Sequence, residues 1–229
     1  MSTEPETRES LVELELAEAA MNRASAAAFL AEANKSLIEA ERLNLSLAAE
    51  QRIHNQEAVM HKNQRMYPFV GEINEISVGD CLSALLMWDK LYPKEDMEII
   101  LNSPGGSLIH GLFLFDGIKR VRSLEHKVTI TAMGMAASMA AIVLQAATER
   151  VMGRETWMLM HEVSFGAKGK IGEVEDYTTW VNMAQERIIN ILIERSNLTK
   201  AKIRAGWKRK DWWIDSNECL RLGLVDKVV

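Results

Sequence analysis

With 229 residues, 48% of them apolar, and a formal charge of −5, the chain is long enough to bury one ordinary core and carry an extension besides. Residues 1–60 hold 11 Glu against five Lys or Arg, so the acidic excess sits there, and the absence of a basic cluster argues against a nucleic-acid partner. Cys81 and Cys219 lie far apart without His or Cys at ligand spacing, which argues against a disulfide framework or a metal site and for a reducing, cytoplasmic setting.

The first ten residues, MSTEPETRES, are polar and acidic where a secretory signal would be basic and then apolar. From Thr7 to Tyr67 there is neither Gly nor Pro, and Ala, Glu, Leu and Arg dominate, so a helix is predicted over residues 8–60. Leu30, Leu37 and Leu47 recur at loosely helical spacing, but Asn22, Asn34 and Asn44 interrupt the heptad. A helical arm fits better than a regular coiled coil, and a partly disordered tail is the plainer alternative. The Tyr67-Pro68 step divides the chain into this extension, residues 1–64, and a second domain, residues 65–229.

In the second domain the pattern alternates. A strand at Phe69–Ile73 precedes a helix over 79–92, a strand over 97–102, a helix over 107–121 and a strand over 127–132. A helix from about 138, short strands near 150–152 and 157–161, and a long helix around 172–196 complete the series. Strands separated by helices predict an α/β fold with a largely parallel sheet. Val128 to Ala147 carries no charge and approaches the length of a bilayer span. Its β-branched opening and Ala-rich close divide it into a buried strand and helix, so no membrane partner is expected.

Three turns fall at predicted strand ends, where open α/β sheets bind ligands. Asn102-Ser103-Pro104-Gly105-Gly106 lets the backbone approach a bound group with its N–H donors exposed, or is simply a tight turn. Gly134 to Ala140 surrounds one hydroxyl, Ser138, with small residues at a strand-to-helix junction, where a nucleophile or an N-cap would sit. Met158-Leu159-Met160-His161 ends an apolar strand on an imidazole. His54, His61 and His126 occupy polar contexts suggesting exposure, leaving His110 and His161 as candidate bases.

Gly71-Glu72-Ile73, the N-S-P-G-G turn at 102–106 followed by Gly111, G-M-A-A-S-M-A at 134–140, the strand-end His161 and the terminal run from Gly223 to Val228 together resemble the proteolytic subunit of Clp protease. The resemblance covers residues 65–229 in order and at similar spacing. It implies a ClpP/crotonase-like domain of repeated βαβ units. It also implies a serine endopeptidase with Ser138 as nucleophile, His161 as base and Asp211, ahead of the last helix, as the group that orients the base. Asp215 and Asp226 are its rivals. Backbone N–H groups of Gly105 and Met139 would form the oxyanion hole, and Gly106, Phe165 and Gly166 would border the substrate groove. No cofactor is implied.

The same resemblance implies stacked, heptameric rings acting on polypeptides, with any Clp ATPase supplied as a separate chain, since no phosphate-loop motif is present. Three departures stand out: the long N-terminal extension, Glu162 where the family usually has Gln, and the Trp212-Trp213 pair. An arm of this kind resembles phage and prophage proteases that act on capsid and scaffold proteins, so prohead maturation and general degradation both stay open. Two other classes are weighed: a non-catalytic ring or scaffold-binding protein, and a crotonase-type acyl-CoA enzyme, which needs no Ser-His-Asp set.

Overall fold

The computed structural model describes residues 16, 21, 23, 27, 30–48 and 65–229. By its contacts the chain falls into two units, Met1–Ala58 and Val59–Val229. In the first, residues 30–48 form helix α1 with every side chain exposed. The remainder of the helix expected over 8–60 lies mostly outside the described residues.

The second unit is the α/β domain. Its order is β1 (Met66–Val70), α2 (Glu75–Leu91), β2 (Met97–Ser103), α3 (Leu108–Ser123), β3 (Val128–Ala137), α4 (Met139–Leu144), β4 (Glu149–Met152) and β5 (Trp157–Met160). Then come α5 (Ile171–Glu194), α6 (Lys200–Trp207), β6 (Trp212–Asp215), α7 (Ser216–Arg221) and β7 (Lys227–Val228). The main path of the sheet is β1-β2-β3-β4-β7, parallel throughout, while β5 pairs with β3 and carries antiparallel β6. The uncharged stretch from Val128 divides into β3 and α4, and no helix among the described residues is long and apolar enough to cross a membrane.

Helix α2 starts four residues before the expected position because Asn74 caps it. The Asn74 side chain accepts from the N–H groups of Ile76 and Ser77, and Ser77 Oγ accepts in return from Asn74 N at 3.0 Å. Val78, Cys81, Leu82, Leu85 and Trp88 form its buried stripe. On the sheet, Ile99, Leu101, Ile130 and Ala132 are almost fully buried, as strands covered by helices require.

Strand β3 exceeds its expected length because it changes partner midway. Thr129–Ala132 pairs with β4, whereas Met135–Ala137 pairs with β5. Between the halves the register against β2 shifts, with Leu101 opposite Ala132 but Ser103 opposite Ala136. Gly134 takes a φ of 79° in this bulge, its N–H donating to Thr156 Oγ1 at 3.1 Å, and Met135 N donates to Asn102 Oδ1 at 3.3 Å. The bend turns the end of β3 away from β4 and alongside β5.

Asp226 secures the far edge. Arg150, 3% exposed, donates to it from its backbone N–H at 2.8 Å and from Nε at 3.0 Å, and Arg195 adds a contact at 3.3 Å. Burial alone would raise the Asp226 carboxyl, but the hydrogen bonds and charge of Arg150, with Arg195 behind, hold it below its usual value. A depressed carboxyl contributes stability that is complete above its unfolded pKa of about 3.9 and is lost as pH falls through the folded value. Asp226→Asn removes the counter-charge of a buried guanidinium that keeps Gln145 Oε1 as an acceptor, a loss of about 3–5 kcal/mol in a dry site, reduced here to about 2–3 kcal/mol by the carboxylate's partial exposure. Thermal melts should show that deficit at pH 7, narrowing below about pH 4.

Candidate active site

Ser138 sits where β3 gives way to α4, with φ 55° and ψ −122°. A non-glycine residue held at such dihedrals costs about 1–3 kcal/mol and needs surroundings that fix it. Those are present: Ser138 N–H donates to Leu159 O at 2.8 Å, Ala141 N–H donates to Ser138 O at 3.1 Å, and Ala137 and Met139 are buried on either side. The side chain makes no capping bond to α4, so the N-cap role does not account for this serine. The strained turn presents its hydroxyl instead to a cleft of about 290 Å³.

The bond to Leu159 brings β5, and His161 just past its end, to the same cleft. His161 Nδ1 donates to the carbonyl of Glu162 at 2.5 Å, a tautomer that leaves the Nε2 lone pair free to take a proton. No hydrogen bond joins Ser138 Oγ to the ring among the described residues. The other candidate base, His110, is outside the cleft lining and bonds through Nδ1 to Ser107 Oγ, the cap of α3, at 2.9 Å. His126, expected at the surface, is 3% exposed because its ring spans the carbonyl of Glu95 at 2.7 Å and the carboxylate of Asp89 at 2.9 Å. His54 and His61 lie outside the described residues.

Glycine geometry closes the site from the β2 side. Gly105, at φ 94°, lies so near the Ser138 turn that a Cβ there would stand 2.7 Å from both Ala137 O and Ser138 Cβ. At Gly106 a Cβ would come within 2.3 Å of Ile73 O. Gly111 clears room on α3 for the Met139 side chain, which a Cβ would meet at 2.2 Å. The oxyanion donor expected at Gly105 needs amending, since its N–H already donates to buried Ser103 Oγ at 3.1 Å. The next N–H, that of Gly106, bonds to no described residue and borders the cleft, as does Met139 at the start of α4.

Asp211 is not gathered with the others. It is exposed, it is absent from the cleft lining, and its carboxylate bonds to no described residue. Its rivals are engaged in structural work: Asp215 caps α7 by accepting from Glu218 N–H at 2.9 Å, and Asp226 holds Arg150. Among the expected groove residues, Gly106 and Phe165 line the cleft, while Gly166 borders a separate hollow with Lys168 and Tyr177.

The apolar wall was not foreseen from the sequence. Tyr177 stacks on Trp180 with ring centroids 5.6 Å apart, and Phe165 meets Tyr177 edge-on at 5.8 Å. Trp207 at the end of α6 completes the lining. The spacing of Tyr177, Trp180 and Val181 on one face of α5 was the available signal. The cleft therefore combines a strained serine, an imidazole with a free nitrogen, two unengaged backbone donors and a surface suited to apolar side chains. Among the described residues no group of His, Cys, Asp and Glu is placed to hold a metal ion.

Comparison with known proteins agrees with this architecture. The chain is 29% identical over 164 residues to the ATP-dependent Clp protease proteolytic subunit of Bacteroides thetaiotaomicron, an alignment covering 70% of this chain and 73% of that protein. A family profile described as Clp protease matches residues 49–229. That span takes in every element from β1 to β7, with the Ser138 turn and the His161 strand end inside it, and the chain belongs to the Clp protease family.

Proposed function

We propose that the protein is a serine endopeptidase of the Clp proteolytic-subunit type, in which Ser138 attacks the peptide carbonyl and His161 accepts its proton. The observation that carries this reading is the strained Ser138 turn, which faces the same cleft as the free side of His161. As the Ser138 Oγ–carbonyl carbon bond forms, the hydroxyl proton passes to His161 Nε2 and negative charge collects on the former carbonyl oxygen. The N–H groups of Gly106 and Met139 stabilise that oxygen. Collapse of the tetrahedral intermediate breaks the C–N bond, His161 returns the proton to the departing amine, and an acyl-Ser138 ester remains for water to hydrolyse by the same route.

Asp211 stabilises the imidazolium once the segment that carries it has turned inward. In the isolated chain the Glu162 carbonyl holds the ring in its place. On this reading the final alignment of the site accompanies assembly into rings, with polypeptides as substrates and a Clp ATPase or capsid and scaffold proteins as partners in a bacterial cytoplasm. A non-catalytic ring protein is the second reading, favoured by the separation of Asp211 from the cleft. A fluorophosphonate probe decides between them. Labelling of the wild type at Ser138, lost in Ser138→Ala, is expected; an assembled, folded protein that takes no label would establish the non-catalytic reading.

A further inference from the structure

Two polar groups of one short segment, only one of them in the cleft, have no partner among the described residues. The indole nitrogen of Trp207 is buried and donates to no described residue, although Trp207 is 2% exposed and lines the cleft with Ser138 and His161. An unsatisfied buried N–H is uncommon in a settled fold, because the donor gives up water for nothing. Four residues on, the Asp211 carboxylate stands at the surface with no hydrogen bond or ion pair to any described residue. An indole is a donor only and a carboxylate an acceptor only, so the two are complementary, although only the indole is buried without a partner.

The intervening chain is suited to a local rearrangement. Lys210 N–H bonds back to Trp207 O at 3.2 Å, forming a tight turn in which Arg209 takes a φ of 56°. An arginine in the left-handed region is strained, and a change of its φ would redirect Lys210 and Asp211. The turn is anchored on both sides: Trp207 is fixed in the core, and Trp212 packs on Gly206, where a Cβ would lie 2.3 Å from its ring. A rearrangement that kept both anchors would fall within residues 208–211.

We propose that Trp207 is a positioning residue for Asp211. When the segment turns in, one carboxylate oxygen accepts the Trp207 Nε1–H and the other accepts Nδ1–H of His161 in place of the Glu162 carbonyl. A carboxylate that orients a base by one oxygen is free to rotate unless its second oxygen is held, and the Trp207 indole N–H, four residues away, is a buried donor with no other partner among the described residues. The proposal rests on the peptidase reading above.

The test is a double-mutant cycle on the full-length protein with a fluorogenic peptide, comparing Trp207→Phe, Asp211→Ala and the pair. Phenylalanine keeps an aromatic ring and removes the donor along with part of the ring's volume, so a thermal melt of the variant measures the packing loss separately. Trp207→Phe is expected to lower kcat about ten- to hundredfold, the worth of one hydrogen bond to a charged group, with KM unchanged and no further loss in the Asp211→Ala background. An equal loss in both backgrounds, a change confined to KM, or no loss at all overturns the role of Trp207 while leaving the peptidase intact. Failure of the wild type to label at Ser138 overturns both readings together.

Discussion

On the peptidase mechanism proposed above, His161→Ala is expected to lower peptide hydrolysis by at least about 10⁴-fold, the scale on which triad members act. The ring has no substitute within the cleft. His110 is tied to the α3 cap, His126 is held between Glu95 and Asp89, and neither lines the cleft. Without a base, Ser138 keeps the ordinary weak nucleophilicity of an alcohol, and its phosphonylation by a fluorophosphonate, with loss of fluoride, should slow in parallel with hydrolysis. His161 is half-exposed beyond the end of β5 and makes its one bond to the neighbouring carbonyl, so melting should be little changed. A parallel fall in melting temperature and labelling would instead assign His161 to the fold.

Gly105→Ala should have the largest combined effect on stability and reactivity. The added methyl must occupy a φ of 94° and stand 2.7 Å from the backbone oxygen of Ala137 and from Ser138 Cβ. Neither neighbour is the end of a flexible side chain. Left-handed strain of about 1–2 kcal/mol and overpacking of about 1–3 kcal/mol together suggest about 2–5 kcal/mol, or roughly 5–15 °C in melting temperature for a domain of this size. Relief can come only by displacing the Ser138 turn, so labelling at Ser138 should fall even below the melting range. Gly79 is the control, because a Cβ there meets nothing within 4 Å and alanine suits a helix better.

The parts of this molecule that were legible in its sequence are those fixed by local chemistry. Strands β2 and β5 and helices α3 and α5 lie within a few residues of their expected places, because apolar runs and the breakers between them set both ends. The start of α2 was misplaced because Asn74 acts as a cap three residues after Gly71, where the eye takes both for loop. The bend in β3 was hidden because its cause, the exchange of β4 for β5 as partner, is a matter of tertiary pairing. The small-residue and strand-end patterns made Ser138 and His161 candidates, the resemblance supplied the roles expected of them, and both line the cleft. That the Gly105 N–H is already engaged with Ser103 Oγ was not legible, since a one-residue difference between donors depends on peptide orientation rather than residue type.

Both native thiols lie in the core. Cys81 and Cys219 are fully buried, and burial, with nearby carboxylates behind it, pushes the Cys219 thiol up to about 12 and that of Cys81 higher still. Thiolate is the reactive form, so neither sulfur should meet a maleimide at neutral pH. A single cysteine placed at exposed Phe165, on the lining of the cleft, would then take a dye without first removing the native pair, and its emission would report whether an added peptide enters that cleft.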